Sequence, residues 1–270
     1  MKKECLIVIA SYADGYLNDL LNSIKENTKD VEYEIQVVDN NPDEEKIKEV
    51  ISVCKSHQVP LHLDTKITGY GDALNTGVEV NTSKSKYVLY MDSDTKVSKG
   101  WLREMIDCYE RNYDKGCRLV GPLVKNFENK YLPEMTNYAK ISELEGKDFL
   151  LEQSYLVGVC YLRERSTIDE FKWDKNFLRA YSEDTDFTNQ VRFWDYKVFV
   201  AGKALMYHKV NSSHESMKSQ GIIPQKVGSA NREYLIQKWH YIEQRLKVNN
   251  FVKDESFREL TLGTYFEEYR

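Results

Sequence analysis

Two acidic side chains close an apolar run, where Tyr87 to Met91 leads into Asp92-Ser93-Asp94-Thr95. The run reads as a buried strand, and open α/β sheets hold ligands at the carboxyl ends of their strands. Asp92 and Asp94 are two residues apart, so an extended backbone points both to one side. Carboxylates so placed repel unless a cation lies between them or one takes up a proton. Hard divalent cations prefer carboxylate oxygens and keep water or substrate phosphates as their other ligands. The chemistry suggested is a divalent ion shared between Asp94 and a diphosphate. The same four residues also suit a turn or a helix cap.

A second acidic cluster is Ser182-Glu183-Asp184-Thr185-Asp186. Acidic residues in a first helical turn complement the macrodipole, but three acids in four positions exceed what capping needs. A carboxylate held against a hydroxyl can act as a general base. Asp39 follows an apolar run and could accept hydrogen bonds from a uracil or thymine ring N–H or from ribose hydroxyls. It could equally cap the helix after Pro42. Gly69 and Gly71 allow close backbone approach to a ligand, or simply a turn. Their GxG lacks the third glycine and the first-strand position of a dinucleotide fingerprint. Trp173 and Tyr181 offer aromatic faces on which a sugar ring could stack, with core packing the use expected for at least one of them. His208 follows a short strand, where a histidine serves either as a hydrogen-bonded structural residue or as a ligand. His214 is the poorer candidate.

The elements that must position these residues alternate. Cys5 to Ala10 reads as a first buried strand, then Ser11 to Gly15 as a loop. A helix over 16–27 follows, with Leu17, Leu20, Leu21 and Ile24 on one face. Tyr33 to Val38 and Leu61 to Leu63 read as strands. Between them Pro42 opens a helix that turns Ile47, Val50, Ile51 and Cys54 inward. A third helix runs through Ala73, Leu74 and Val78. Strand–helix alternation over the first hundred residues predicts a mostly parallel sheet with flanking helices, an α/β fold. Beyond it, a helix is expected over 100–112 and a strand from Cys117 to Val120, closed by Gly121-Pro122. Lys125 to Asp148 reads as a long connection over the site. Strands follow at Tyr155 to Leu162, Val198 to Ala201 and Leu205 to His208. A helix runs from the second acidic cluster to Trp194, and the chain is helical from about Gln225.

At 270 residues the chain has length for a sizeable core. A net charge of −5 argues against a general nucleic-acid binder. The longest apolar stretch, Cys5 to Ala10, is too short to span a membrane, and Met1-Lys2-Lys3-Glu4 shows no signal-peptide pattern. The five cysteines are scattered with no CxxC pair, which fits reduced thiols in a cytosol. From Lys203 to Lys253 nine Lys and Arg face three Glu. There Leu235, Trp239, Ile242 and Leu246 form a stripe at helical spacing, with Arg232 and Arg245 elsewhere on the wheel. That stripe packs on the rest of the chain, or it docks on anionic lipid as an interfacial helix.

Five blocks in order resemble the family 2 glycosyltransferases, which have the GT-A fold. They are Ile9-Ala10-Ser11-Tyr12, Val37-Val38-Asp39-Asn40-Asn41, Gly69-Tyr70-Gly71 with Asn75-Thr76-Gly77, Met91-Asp92-Ser93-Asp94-Thr95, and Ser182-Glu183-Asp184-Thr185-Asp186. A sixth, Tyr207-His208 with Ser212-Ser213 behind it, resembles the family's late histidine. The chain is similar in particular to bacterial members, rhamnosyltransferases among them, that build surface polysaccharides. The resemblance implies an inverting, metal-dependent transfer from a UDP- or dTDP-linked sugar to a hydroxyl of a glycan or lipid-linked saccharide. It implies Mn2+ or Mg2+ on Asp94 and His208, with Asp92 at the ion or the ribose. It implies nucleotide-sugar contacts from Ala10, Ser11, Tyr12, Asp39, Asn40, Gly69, Gly71, Asn75, Asp92 and Ser93. Asp184 is the implied base, with Glu183 beside it. The domain expected is 1–216, split near 98 into nucleotide- and acceptor-binding halves, followed by a helical extension over 217–270. The expected location is the cytoplasm, with peripheral contact at the inner face of the plasma membrane. Competing functions are a sugar-1-phosphate nucleotidyltransferase, whose glycine-rich first loop is lacking at Ser11 to Gly15, and a non-catalytic sugar-binding module.

Overall fold

The computed structural model describes residues 3–12, 15–132, 145–152, 155–210 and 212–269. Ala13, Asp14 and residues 133–144 of the expected connection between Lys125 and Asp148 lie outside the described residues.

The strands are β1 (Cys5–Ser11), β2 (Tyr33–Asp39), β3 (Leu61–Leu63), β4 (Tyr87–Asp92), β5 (Thr95–Val97), β6 (Cys117–Asn126), β7 (Asp148–Leu150), β8 (Cys160–Glu164) and β9 (Lys197–His208). They form one sheet in the order β3-β2-β1-β4-β8-β6-β9-β5, with β7 paired to β9. The first half is parallel, as the alternation predicts: β2 and β4 flank β1, and β3 lies beyond β2. The second half is mixed. There β8 runs antiparallel to β4 and β6, while β6 and β9 are parallel. The helices are α1 (Leu17–Asn27), α2 (Glu44–His57), α3 (Tyr70–Val80), α4 (Trp101–Arg111), α5 (Glu183–Phe193), α6 (Ser212–Ser219), α7 (Pro224–Val248) and α8 (Ser256–Leu262). None is long and apolar enough to cross a membrane among the described residues. All five cysteines are buried and free.

β1 and β4 are covered on both faces, so they read as continuous apolar runs and not as alternation. α1 buries the four residues expected of it. α2 starts two residues later than expected, because Asp43 and not Pro42 or Asp39 makes the cap: its carboxylate accepts from the Glu45 and Lys46 amides. Of its inward set, Val50 and Cys54 are buried and Ile47 and Ile51 only half-buried.

Three expectations change in the second half, and one short strand was not foreseen. β6 does not stop at Gly121-Pro122 but continues to Asn126, absorbing the proline at a shift in its register with β9. The two strands expected over 198–208 are one strand, β9, irregular at that same place. The strand expected from Tyr155 starts only at Cys160. β5 has only three residues, too few to show a periodicity.

At the C-terminus, Ile242 of α7 packs with Phe257 and Leu260 of α8, and with Phe193 and Trp194 from the end of α5. Trp239 and Leu246 are half-buried in the same cluster. The stripe read from the sequence is therefore a packing face.

Candidate active site

The two acidic clusters and His208 open onto one cleft of about 570 Å³. Asp92 reaches it because β4 pairs with β1 in register, Ala10 opposite Asp92. Asp94 lies in the turn that follows, 6% exposed. His208 arrives from far along the chain, and β5 brings it: Thr95 pairs with His208 across the β5–β9 ladder, and the Lys209 amide donates to Asp94 O at 2.9 Å. His208 Nε2 then lies 3.3 Å from Asp94 Oδ1 and 4.0 Å from Asp92 Oδ2. One ligand atom from each of the three lies within 4.8 Å of the others. Two carboxylates and an imidazole so gathered fit Mn2+ or Mg2+, which favour oxygen ligands and keep positions for phosphate. Ser212, at the start of α6 and buried, donates its hydroxyl to Asp94 Oδ2. It orients that carboxylate, as partners of metal ligands do.

Glu183 and Asp184 enter at the N-terminus of α5. The loop before them is strained, with φ of +65° at Arg179, +84° at Tyr181 and +69° at Ser182. Left-handed non-glycine residues cost about 1–3 kcal/mol each and cluster at functional sites. Asp184 packs on Gly158, where a Cβ would sit 3.2 Å from Asp184 Oδ2. Glu183 is 7% exposed, and its Oε2 has no hydrogen-bond partner among the described residues. Burial first, then the charges of Asp184 and Asp92, push its carboxyl well above the usual range. The Tyr70 phenol, also on the cleft wall, is pushed up by burial and by Asp92.

Asp186 belongs elsewhere. It is 1% exposed and pairs with Lys238 of α7 at 2.9 Å, and Lys238 also pairs with Asp174 at 2.9 Å. Gln190 and Trp239 donate to Asp186 as well, and Tyr234 and Asn176 to Asp174. Burial raises the Asp186 carboxyl despite its cation. Burial alone would lower the Lys238 pKa, but the two carboxylates more than offset it and the pKa is raised. The third acid of the cluster is thus an anchor for α7.

Ala10, Ser11, Tyr12, Asn40 and Ser93 also line the cleft, as expected. The Asn41 side chain fixes the Tyr12 backbone, donating to its carbonyl at 2.8 Å. Asp39 is not in the wall: it is buried at the end of β2, where Oδ1 accepts from the Asn41 amide at 3.0 Å. Gly69 and Gly71 serve packing. A Cβ on Gly69 would lie 2.5 Å from Phe177 O, and one on Gly71 2.8 Å from Trp173 Cβ. Asn75 is taken up by the Trp173 backbone, donating to its carbonyl at 2.7 Å and accepting from its amide at 3.2 Å. Trp173 itself is 2% exposed and stacked on Phe187 at 4.2 Å, with Tyr70, Tyr90 and Tyr161 edge-on around it. It has no face to offer a sugar. Tyr181 does line the cleft, edge-on to His214. The sequence reading missed Tyr70, Tyr155, Arg179 and Ser212 and underrated His214, all of them in the wall. Ser212 alone carried a signal, as the serine pair behind His208. Arg179 donates to the Tyr12 hydroxyl, which in turn donates to Gln220 Oε1 at 2.6 Å.

The family model described as Glycosyl transferase family 2 matches residues 5–172. No curated protein matches the chain as a relative. Among solved structures, GalNAc-T7 with UDP, GalNAc and Mn2+ superposes with a TM-score of 0.59 at 14% identity, over 77% of this chain and 43% of its own. Residues 1–349 of S. aureus TarS give 0.57 at 17% identity, over 80% of this chain and 63% of that one. The same TarS piece in complex with UDP-GlcNAc gives 0.55 at 18% identity, over 77% and 58%. This chain therefore spans less than two thirds of each of these solved chains, and the likeness shows a shared GT-A fold.

Proposed function

The chain belongs to glycosyl transferase family 2, and from that premise we propose that it moves a sugar from a UDP- or dTDP-linked donor to an acceptor hydroxyl with inversion at the anomeric carbon. The observation that carries this reading is the convergence of Asp184 with Asp92, Asp94 and His208 on one cleft. The structural neighbours bound to UDP, UDP-GlcNAc or Mn2+ support the donor class and the ion.

The nucleotide lies along Ala10, Ser11, Tyr12 and Asn40, with its diphosphate toward Asp94. A divalent cation held by Asp94 and His208, with Asp92 beside them, would neutralise charge on the departing diphosphate. Burial and the neighbouring carboxylates raise the Glu183 carboxyl well above its ordinary range, which favours Asp184 of the two adjacent acids as the one that accepts a proton. Asp184 takes it from the acceptor hydroxyl. The hydroxyl oxygen bonds to the anomeric carbon as the carbon–oxygen bond to the diphosphate breaks, and the electron pair leaves with the phosphate. One displacement inverts the centre. Glu183, with its carboxyl raised by burial, can donate a hydrogen bond to the acceptor when it carries its proton. Tyr181, with His214 against it, forms the acceptor wall.

The acceptor in this reading is a glycan or a lipid-linked saccharide of a cell-surface polysaccharide, and the chain works at the cytoplasmic face of the membrane. In its C-terminal part Val248, Phe251 and Val252 are 79%, 68% and 57% exposed, an apolar tip suited to peripheral contact.

A thermal-shift panel of nucleotides and nucleotide sugars, with and without Mn2+, tests the donor class, since a ligand that binds only the native state raises its melting point. Asp184→Asn then tests the base. Turnover should fall by about two to four powers of ten, the scale of a general base, while donor affinity is kept. Near-normal turnover would remove Asp184 from that role.

A further inference from the structure

α7 reaches the site at a point that the metal and donor contacts do not use. Asn231, 1% exposed, lies two turns before Lys238 on the same face of the helix. Its side-chain Nδ2 donates to three backbone carbonyls, Leu178 O and Ala180 O at 2.9 Å and Tyr181 O at 3.1 Å, and its Oδ1 accepts from the Leu178 amide at 3.3 Å. These are the carbonyls of the strained loop that delivers Glu183 and Asp184.

We propose that Asn231 is a positioning residue for catalysis: it holds the 178–182 loop in its left-handed course and so sets where Asp184 stands in the cleft. The inference rests on the role given to Asp184 above. Among the described residues the loop's backbone is held from two sides. On one side the Tyr70 amide donates to Arg179 O at 2.7 Å and the Arg179 amide donates to Thr68 O at 2.9 Å. On the other side, Asn231 takes the carbonyls that face α7. Ser182 O then accepts the Asp186 amide at 3.0 Å and starts α5. Nothing in the loop's own sequence favours positive φ at three non-glycine positions, so the order must come from such holds. An asparagine suits the place because its amide supplies two donors and an acceptor in one plane. Aspartate has nearly the same size but only acceptors, and it would face three carbonyl oxygens. Asn231 does not line the cleft, so its effect passes through the loop.

The test compares Asn231→Ala, Asn231→Asp and the double variant Asn231→Ala/Ser182→Gly in the full chain. Three quantities are read: Mn2+–UDP affinity by calorimetry, kcat as UDP released from UDP-linked sugars, and amide hydrogen exchange over 176–184. Exchange in both single variants should rise by about tenfold or more as the loop opens locally. Mn2+–UDP affinity should stay at the wild-type value. A misplaced base should lower kcat by about a hundredfold, the scale of an ångström-sized displacement. Glycine at 182 takes positive φ without a Cβ penalty, so the double variant should recover much of kcat. A merely structural asparagine would give no such rescue. Unchanged exchange and kcat in Asn231→Ala would overturn the inference, as would a kcat loss that comes with lost UDP affinity and resists Ser182→Gly. Should Asn231→Ala fail to fold, Asn231→Ser, which keeps a donor and an acceptor, takes its place with the same expectations. A wild-type chain that turns over no nucleotide sugar would instead refute the proposed function, and the exchange measurement would still decide the loop.

Discussion

Replacing Lys238 by Met removes the only cation that touches Asp174 and Asp186 among the described residues. Lys238 is 0% exposed and the two carboxylates 2% and 1%, so water cannot take over its role. Breaking a buried ion pair by removing one partner costs about 3–5 kcal/mol. The remaining donors soften the loss: Gln190 Nε2 and Trp239 Nε1 stay on Asp186, and Asn176 and Tyr234 stay on Asp174. The low end, about 3 kcal/mol, is therefore expected. At about 2–4 °C per kcal/mol for chains of this order of size, the melting point should drop by about 6–12 °C. The sign of the pH dependence follows from Asp186. Its carboxyl is already raised by burial with the cation in place, and without it the rise is larger. A carboxyl whose folded pKa lies above its unfolded value contributes stability below the unfolded pKa and loses it as pH rises through the folded one. Urea unfolding at pH 8 and pH 5.5 should thus show the deficit of Lys238→Met shrinking in acid. Adding Asp186→Asn should recover part of the loss at pH 8. A variant within about 0.5 kcal/mol of wild type at pH 8, inside the spread of ordinary surface substitutions, or a deficit that grows in acid, would refute this account of the triad.

If Asp94 and a diphosphate share a cation, UDP affinity should fall steeply with EDTA, and Asp94→Asn should abolish Mn2+-dependent binding. Equal isotherms with and without chelator would exclude that ion. Ser212→Ala should weaken Mn2+ affinity by about ten- to a hundredfold, the usual effect of losing a partner to a metal ligand, with the fold intact by circular dichroism. Glu183→Gln imitates the protonated side chain and should keep most turnover at neutral pH. It should also remove any alkaline loss of rate that comes from Glu183 ionising, which a pH–rate profile reads directly. If the apolar tip at Val248, Phe251 and Val252 meets lipid, co-sedimentation with vesicles should fall when Phe251 and Val252 become Ser. It should depend little on salt, because Lys247 and Lys253 already pair with Glu243 and Asp195.

Part of the cleft was legible because a strand buried on both faces leaves a continuous apolar run, and the cleft residues follow where the run stops. That placed Asp92 to Asp94, while Ala10 to Tyr12 came through the family resemblance, and both stretches line the cleft. What local pattern cannot carry is which distant segment comes alongside. Thr95-Lys96-Val97 looks like the tail of a turn, yet its ladder with β9 delivers His208 to Asp94. Gly69 and Gly71 were rightly read as close approaches, but the approaching groups are Phe177 and Trp173 rather than a ligand. Trp173 shows the same limit, since an aromatic that could face a sugar carries no mark of being stacked on Phe187.

The C-terminal helix did carry a mark that apolar periodicity overlooks. Its stripe was read through Leu235, Trp239, Ile242 and Leu246. The buried residues of α7 include Asn231, Lys238 and Ile242, spaced by seven and four, which are the spacings of a single helical face. Two of the three are polar, and a polar group on a buried face must be met by partners or it costs stability. Both find partners in one short stretch: Asn231 on the backbone of 178–181 and Lys238 on Asp174 and Asp186. Asp186 is two residues from Asp184, on the same helix. The surplus acid in Glu183-Asp184-Thr185-Asp186 and the two polar residues on the face of α7 are therefore two sides of one contact. The helix that carries Glu183 and Asp184 is held from behind by the C-terminal part of the chain, at both its loop and its first turn.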